Sequence, residues 1–156
     1  MRLSSPAFQN NGLIPTKFAH QGVPGGKNIS IPLSWSEIPP GTESFALSMI
    51  DPHPVADNWV HWFVVNLPSV VRSLDEGASP GRMPSVAKEL YTSYGELGYG
   101  GPEPPKGSGP HPYVITLYAL NTPHVDCSAN ASRTAFLAML EGKILATALL
   151  TGIFER

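Results

Sequence analysis

Trp59-Val60-His61-Trp62-Phe63-Val64-Val65-Asn66-Leu67 is the stretch on which the fold turns. Only His61 and Asn66 are polar, and the remainder is aromatic, β-branched or leucine, the composition of an extended strand. At a period of two, Trp59, His61, Phe63 and Val65 share one face and Val60, Trp62 and Val64 the other. Both faces are apolar, so the strand is predicted to be central and covered on both sides. Upstream, Ser44 to Ile50 reads as a second strand, joined to the first through the turn Asp51-Pro52-His53-Pro54. Downstream, Val114 to Leu120 reads as a third. It follows the loop Gly100-Gly101-Pro102-Glu103-Pro104-Pro105-Lys106-Gly107-Ser108-Gly109-Pro110 and the tripeptide His111-Pro112-Tyr113.

Further outward the signals weaken. Ile29, Ile31, Leu33 and Trp35 alternate over Asn28 to Trp35 and predict a strand, with Pro32 at an edge or bulge. Phe8 to Gly22 alternates weakly around the turn signal Asn11-Gly12. Val71 to Gly98 reads as a long excursion with a short strand near Val71, a helical turn around Ala87 to Leu90, and Tyr91 and Tyr94 within it. One helix is predicted after Ser132, its N-cap, with Phe136, Leu137 and Leu140 at helical spacing and Gly142 beyond its end. Ile144 to Phe154 closes the chain as a strand, with Gly152 expected at a bulge. Many short strands and one late helix predict a single domain over 1–156, an antiparallel β-sandwich.

Composition narrows the class. The 156 residues carry a formal net charge of -2, only 14% charged residues, 17 prolines and 15 glycines. No basic cluster is present, which argues against a nucleic-acid partner. Cys127 is the only cysteine, so an internal disulfide and a thiolate metal cluster are excluded. No apolar run reaches the roughly 20 residues of a membrane span. A cytoplasmic protein is the default expectation.

The polar residues at the strand ends carry the chemistry. Asp51 alone reads as a turn aspartate, and His61 alone as a core histidine with a hydrogen-bond partner. His111 and Tyr113, two apart with the intervening proline holding His111 extended, point to one side. Together these groups sit at strand-loop junctions around buried runs, where each needs a partner. Mutual satisfaction around an anion or water answers that need, and the glycines of the following loop offer backbone N–H groups at close range. A rigid loop without a ligand is the plainer alternative. Two histidines and an aspartate also match an iron or zinc ligand set, but no local metal spacing accompanies them. A hydrolase is the other possibility, yet no nucleophile elbow occurs and no serine sits in a recognisable activating context.

The segments Asp51-Pro52-His53-Pro54, Trp59 to Asn66 and Gly101 to Tyr113 resemble the phosphatidylethanolamine-binding protein family, in its prokaryotic Raf-kinase-inhibitor-like branch. The similarity extends to Asn28–Trp35 and Gly152-Ile153-Phe154. It implies a Greek-key β-sandwich with long loops and a small pocket for phosphate-like or carboxylate anions, such as a phospholipid head group or a phosphorylated ligand. Carried over by position, the ligand-binding residues are Asp51, Pro54, Trp59, His61, Gly101, Pro102, Glu103, His111 and Tyr113, without a cofactor. The resemblance implies a non-enzymatic, regulatory protein; inhibition of a kinase or serine protease is the alternative, and a metal-dependent enzyme on two histidines and one aspartate a further one.

The chain departs from the family pattern in places. Its first motif is shortened to Asp51-Pro52-His53-Pro54, which leaves His53 at the rim or facing solvent. Pro112 stands where the family carries an arginine, removing a cation at the mouth. The segment that follows in animal members is not seen after Arg156, so a more open pocket or a covering second subunit, a homodimer, is expected. With both histidines facing an anion as imidazolium, binding is expected to weaken from about pH 6 to 8.

Overall fold

A computed structural model describes residues Met1–Arg156. In chain order it contains β1 (Arg2–Ser4), β2 (Gly12–Leu13), a 3-10 turn (Thr16–Phe18), β3 (Leu33–Ser36), β4 (Ser44–Asp51), β5 (Trp59–Pro68) and β6 (Ser73–Leu74). There follow β7 (Lys88–Glu89), β8 (His111–Leu120), α1 (Arg133–Leu140) and β9 (Ile144–Phe154). Six strands form one sheet in the order β2-β9-β8-β4-β5-β7, and three form a second in the order β1-β3-β6. All pairings are antiparallel except the two-residue β2–β9 pair, which is parallel.

The predicted sandwich is thus present, and β4 and β5 are its centre. Every residue of β4 is buried, and β5 is buried from Val60 to Leu67. Phe45, Leu47, Met49, Trp62, Val64 and Leu67 face the small sheet through Leu33, Trp35 and Leu74. Val60, Phe63 and Val65 face the other way, towards Phe136 and Leu140 of α1, with the rings of Phe63 and Phe136 stacked at 4.1 Å. Ser132 caps the helix by accepting the Ala135 N–H at 3.2 Å, and Gly142 follows its end with φ +73°.

Four local expectations are corrected. First, strict alternation along β5 fails at His61. Met49 pairs Trp62 and Ile50 pairs Val60, so His61 is the extra residue of a β-bulge. The bulge puts His61 against Tyr113, on the side of Trp62 rather than that of Phe63 and Val65. A second bulge at Asn66 (φ +60°) lets its side chain pair with the Val125 backbone at 2.9 and 3.2 Å.

Second, Ala87 to Leu90 is not a helical turn. Lys88–Glu89 pairs with Val64 and Val65, and Glu89 accepts the Trp62 indole N–H at 2.8 Å. Covering an open edge of β5 outweighs local preference there. Third, the strand predicted from Asn28 begins only at Leu33, because proline at 32 cannot donate to a ladder. Fourth, Gly152 lies in regular pairing with Tyr113 and Gly12. It is small because a Cβ would press on Ile14 and Phe8 (2.5 and 2.8 Å), and the irregularity of β9 lies instead opposite Leu120.

Candidate functional site

The strand ends converge on a cavity of about 410 Å³. Its wall is Asp51, Val55, Ala56, Trp59, His61, Tyr94, Glu103, Pro104, Pro105, His111, Tyr113 and Arg156. Of the predicted residues, Asp51, Trp59, His61, Glu103, His111 and Tyr113 are therefore brought together. Pro54, Gly101 and Pro102 are not in the wall. Pro54 is exposed on the turn, and Gly101 and Pro102 are buried behind it.

The glycine amides do a different task from the one expected. Gly100 N–H donates to the His61 carbonyl at 2.8 Å, and Gly101 N–H donates to Asn28 Oδ1 at 2.7 Å. Both donors are spent inside the protein, so neither is available to an anion. Gly101 is needed for close packing, since a Cβ would overlap the Phe18 carbonyl and the backbone of Ala19 and His20. The His20 N–H in turn donates to the Pro102 carbonyl at 3.0 Å, tying the two loops together.

His61 is buried and its Nδ1 lies 2.7 Å from the Gly100 carbonyl, which can only accept. Nδ1 therefore carries a proton, and no protein group bonds Nε2. Burial pushes the imidazole down from 6.5 to about 4; the carbonyls of Gly100 and Gly101 and the charge on Asp51 oppose that shift without overcoming it. Without a bound anion, whose charge would act to raise it, the ring is neutral near pH 7. Tyr113 is buried beside it, with ring centroids 5.0 Å apart, and its hydroxyl has no protein partner. Burial raises the Tyr113 and Tyr94 phenols, so both stay protonated. Tyr94 donates to the Gly101 carbonyl at 3.0 Å.

His111 and Asp51 form a fully buried pair, Nδ1 to Oδ2 at 2.6 Å, with exposures of 0% and 3%. Asp51 Oδ1 accepts the His53 amide at 2.9 Å, and the His53 ring stacks on His111 at 3.8 Å. His53 is thus held over the pair. Ser108 Oγ lies 2.6 Å from the Pro105 carbonyl and 2.9 Å from His111 Nε2. A hydroxyl has one proton and a carbonyl only accepts, so Ser108 donates to Pro105 and accepts from His111. His111 then carries a proton on Nε2, and one further proton is shared between Nδ1 and the carboxylate. The pair is neutral as a whole, wherever that proton rests.

Ser108, His111 and Asp51 stand in the order of a hydrolytic triad, a contact missed in the sequence although Ser108 and His111 are only three apart. The serine oxygen is an acceptor here and lies outside the cavity wall, so this geometry does not present it as a nucleophile. No group of three or more His, Cys, Asp or Glu side chains is placed to hold a metal ion. Chelator and reductant are expected to leave Tm unchanged in a thermal melt; a fall of several degrees with chelator would restore the metal reading.

The sequence reading also missed Arg156, which closes the outer wall. Its Nη1 lies 3.1 Å from Glu103 Oε1, and its Nε is buried without a partner. Glu103 Oε2 lies 2.7 Å from His20 Nδ1, off the N–H direction, so that contact is an electrostatic one rather than a directed hydrogen bond. His20 stacks on Tyr94 at 4.5 Å. Arg156 supplies a cation to the cavity wall. A smaller cleft of about 160 Å³ lies between α1 and the sheet, and two of its three hydroxyls, Ser48 and Tyr118, pair with each other at 3.3 Å.

Two packed sheets with a polar pocket at the strand ends, walled by a buried aspartate-histidine pair and a tyrosine, define a narrow class of β-sandwich. A profile of the family described as phosphatidylethanolamine-binding protein matches residues 4–155, and the chain belongs to that family. A UPF0098 protein of Methanothermobacter thermautotrophicus is 38% identical over 157 residues, covering 100% of this chain and 99% of the relative. The UPF0098 protein YbhB of Escherichia coli is 35% identical, covering 99% and 100%. The crystal structure of E. coli YbcL, described as a member of the mammalian PEBP family, superposes with a TM-score of 0.92 at 33% identity, covering 99% and 98%. These matches place the chain with the prokaryotic members.

Proposed function

We propose that this chain is a non-enzymatic binding protein whose pocket takes phosphate-like or carboxylate anions, free or as part of a phospholipid head group or phosphorylated ligand, in a regulatory role. The observation that carries the reading is the Tyr113 hydroxyl, a buried donor without a partner in the wall of an open cavity. Leaving such a donor unpaired costs about 1 to 3 kcal/mol, a cost that an acceptor oxygen would remove. Calorimetric titration with phosphoethanolamine is the test. Tyr113→Phe is expected to weaken binding by about 1 kcal/mol, and His111→Ala by roughly 1 to 3 kcal/mol. Wild-type affinity in both variants would return the pocket residues to a purely structural role.

Inhibition of a kinase or serine protease is the second reading. The fold is shared with a carboxypeptidase Y inhibitor solved with its cognate proteinase, at 20% identity and a TM-score of 0.55, which supports the architecture alone. A homodimer and a cytoplasmic location belong to the same proposal. Val55 and Trp59 stand 59% and 37% exposed at the pocket mouth, apolar surface of the kind a second subunit would cover. Sedimentation at micromolar concentration is expected to show a dimer, and a clean monomer would remove it.

A further inference from the structure

The cleft under α1 lies on the face of the six-stranded sheet that turns away from the small sheet. Its volume of about 160 Å³ is close to the roughly 150 Å³ of an apolar cavity that takes up benzene. Ser48 pairs in register with Phe63 on one side and Thr116 on the other, so a phenyl ring and two hydroxyls form one row of its floor. Ile50 and Val114 form the next row. Phe136 and Leu137 roof it from α1, and Arg133, one turn earlier on the same helix face, stands exposed at its rim.

The polar groups here are not spent within the protein. Ser48 and Tyr118 are both buried, and the contact between them at 3.3 Å is the one side-chain hydrogen bond either makes. That bond uses one proton, so the other hydroxyl holds an O–H without an acceptor. Arg133 forms no ion pair, not even with Asp57, which lines the neighbouring groove beside it. A cation in the first turn also opposes the helix dipole, so helix stability does not account for it.

We propose that this cleft is a second ligand site, for a small carboxylic acid with a compact apolar body such as one aromatic ring, its carboxylate meeting Arg133. The body displaces water from Ile50, Val114 and Phe136, and the charge stays at the open rim, where desolvation costs little. An amine of the same size would set its charge against the guanidinium. The inference is independent of the anion reading of the strand-end cavity.

The test titrates the whole chain at neutral pH with benzoate and with benzamide, an uncharged analogue of the same shape. Benzoate is expected to bind with a Kd of about a millimolar. It is expected to bind about fivefold tighter than benzamide, the worth of one partly exposed ion pair. In Arg133→Gln that preference is expected to vanish. Acetate, with the charge but no ring, is expected to bind about tenfold or more weakly than benzoate. The amide signals of Thr116, Tyr118, Phe136 and Leu137 are expected to shift with benzoate, and to stay shifted when phosphoethanolamine is added in excess. Equal affinity for benzoate and benzamide in wild type, or an undiminished preference in Arg133→Gln, would overturn the proposal. So would the absence of benzoate binding at about 20 mM. If phosphoethanolamine displaces benzoate, or the shifts fall on Trp59 and His111 instead, benzoate sits in the strand-end cavity and this inference alone falls.

Discussion

Asp51→Ala is expected to lower the unfolding free energy by about 3 to 5 kcal/mol, the cost of removing one partner from a buried charged pair. Asp51 is hydrogen-bonded to His111 and accepts the His53 amide, so alanine leaves the fully buried His111 Nδ1 and the partly buried His53 amide without partners. Asp51→Asn is the control. Its Oδ1 can still accept the His53 amide, and its Nδ2–H can donate to His111 Nδ1 while Nε2–H keeps Ser108. That variant is expected to lose only about 1 kcal/mol. Urea unfolding of both at neutral pH measures the difference, and an alanine variant within 1 kcal/mol of wild type would show that the pair does not hold these strand ends together.

The second large effect is a loss of stability in acid that traces to His61. Its folded pKa, about 4, lies below the ordinary value of 6.5. The unfolded chain therefore binds the proton more tightly, and the stability from keeping the ring neutral is fully present above about pH 6.5. It is lost as pH falls through that window towards 4. From pH 7 to 4.5 the loss is expected to be about 2 to 3 kcal/mol from this one group. His61→Asn, whose amide can still donate to Gly100, should flatten that part of the pH profile. An unchanged acid slope in the variant would assign the loss to other groups.

How far the sequence reached can be judged residue by residue. The strands at Ser44, Trp59 and Val114 and the Ser132 cap were legible because periodicity and capping are local properties. Asp51, His61, His111 and Tyr113 could be singled out because polar groups beside buried runs need partners. The direction of His61 was not legible, because a bulge depends on register against β4 and leaves no mark within β5. Nor was the fate of the Gly100 and Gly101 amides, whose acceptors, the His61 carbonyl and Asn28, are distant in the chain. Tyr94 and Arg156 escaped for the same reason. One lies in a segment without periodicity and the other beside the last strand, and only the folded loops bring both to Glu103 and His20.

The most direct test of the pocket is a crystal structure determined with phosphoethanolamine at millimolar concentration near pH 6. The expected result is one phosphate group in the cavity, with an oxygen within hydrogen-bond distance of the Tyr113 hydroxyl and the Asp51–His111 contact intact. A cavity without the phosphate group, or one bound only at the protein surface, would contradict the account.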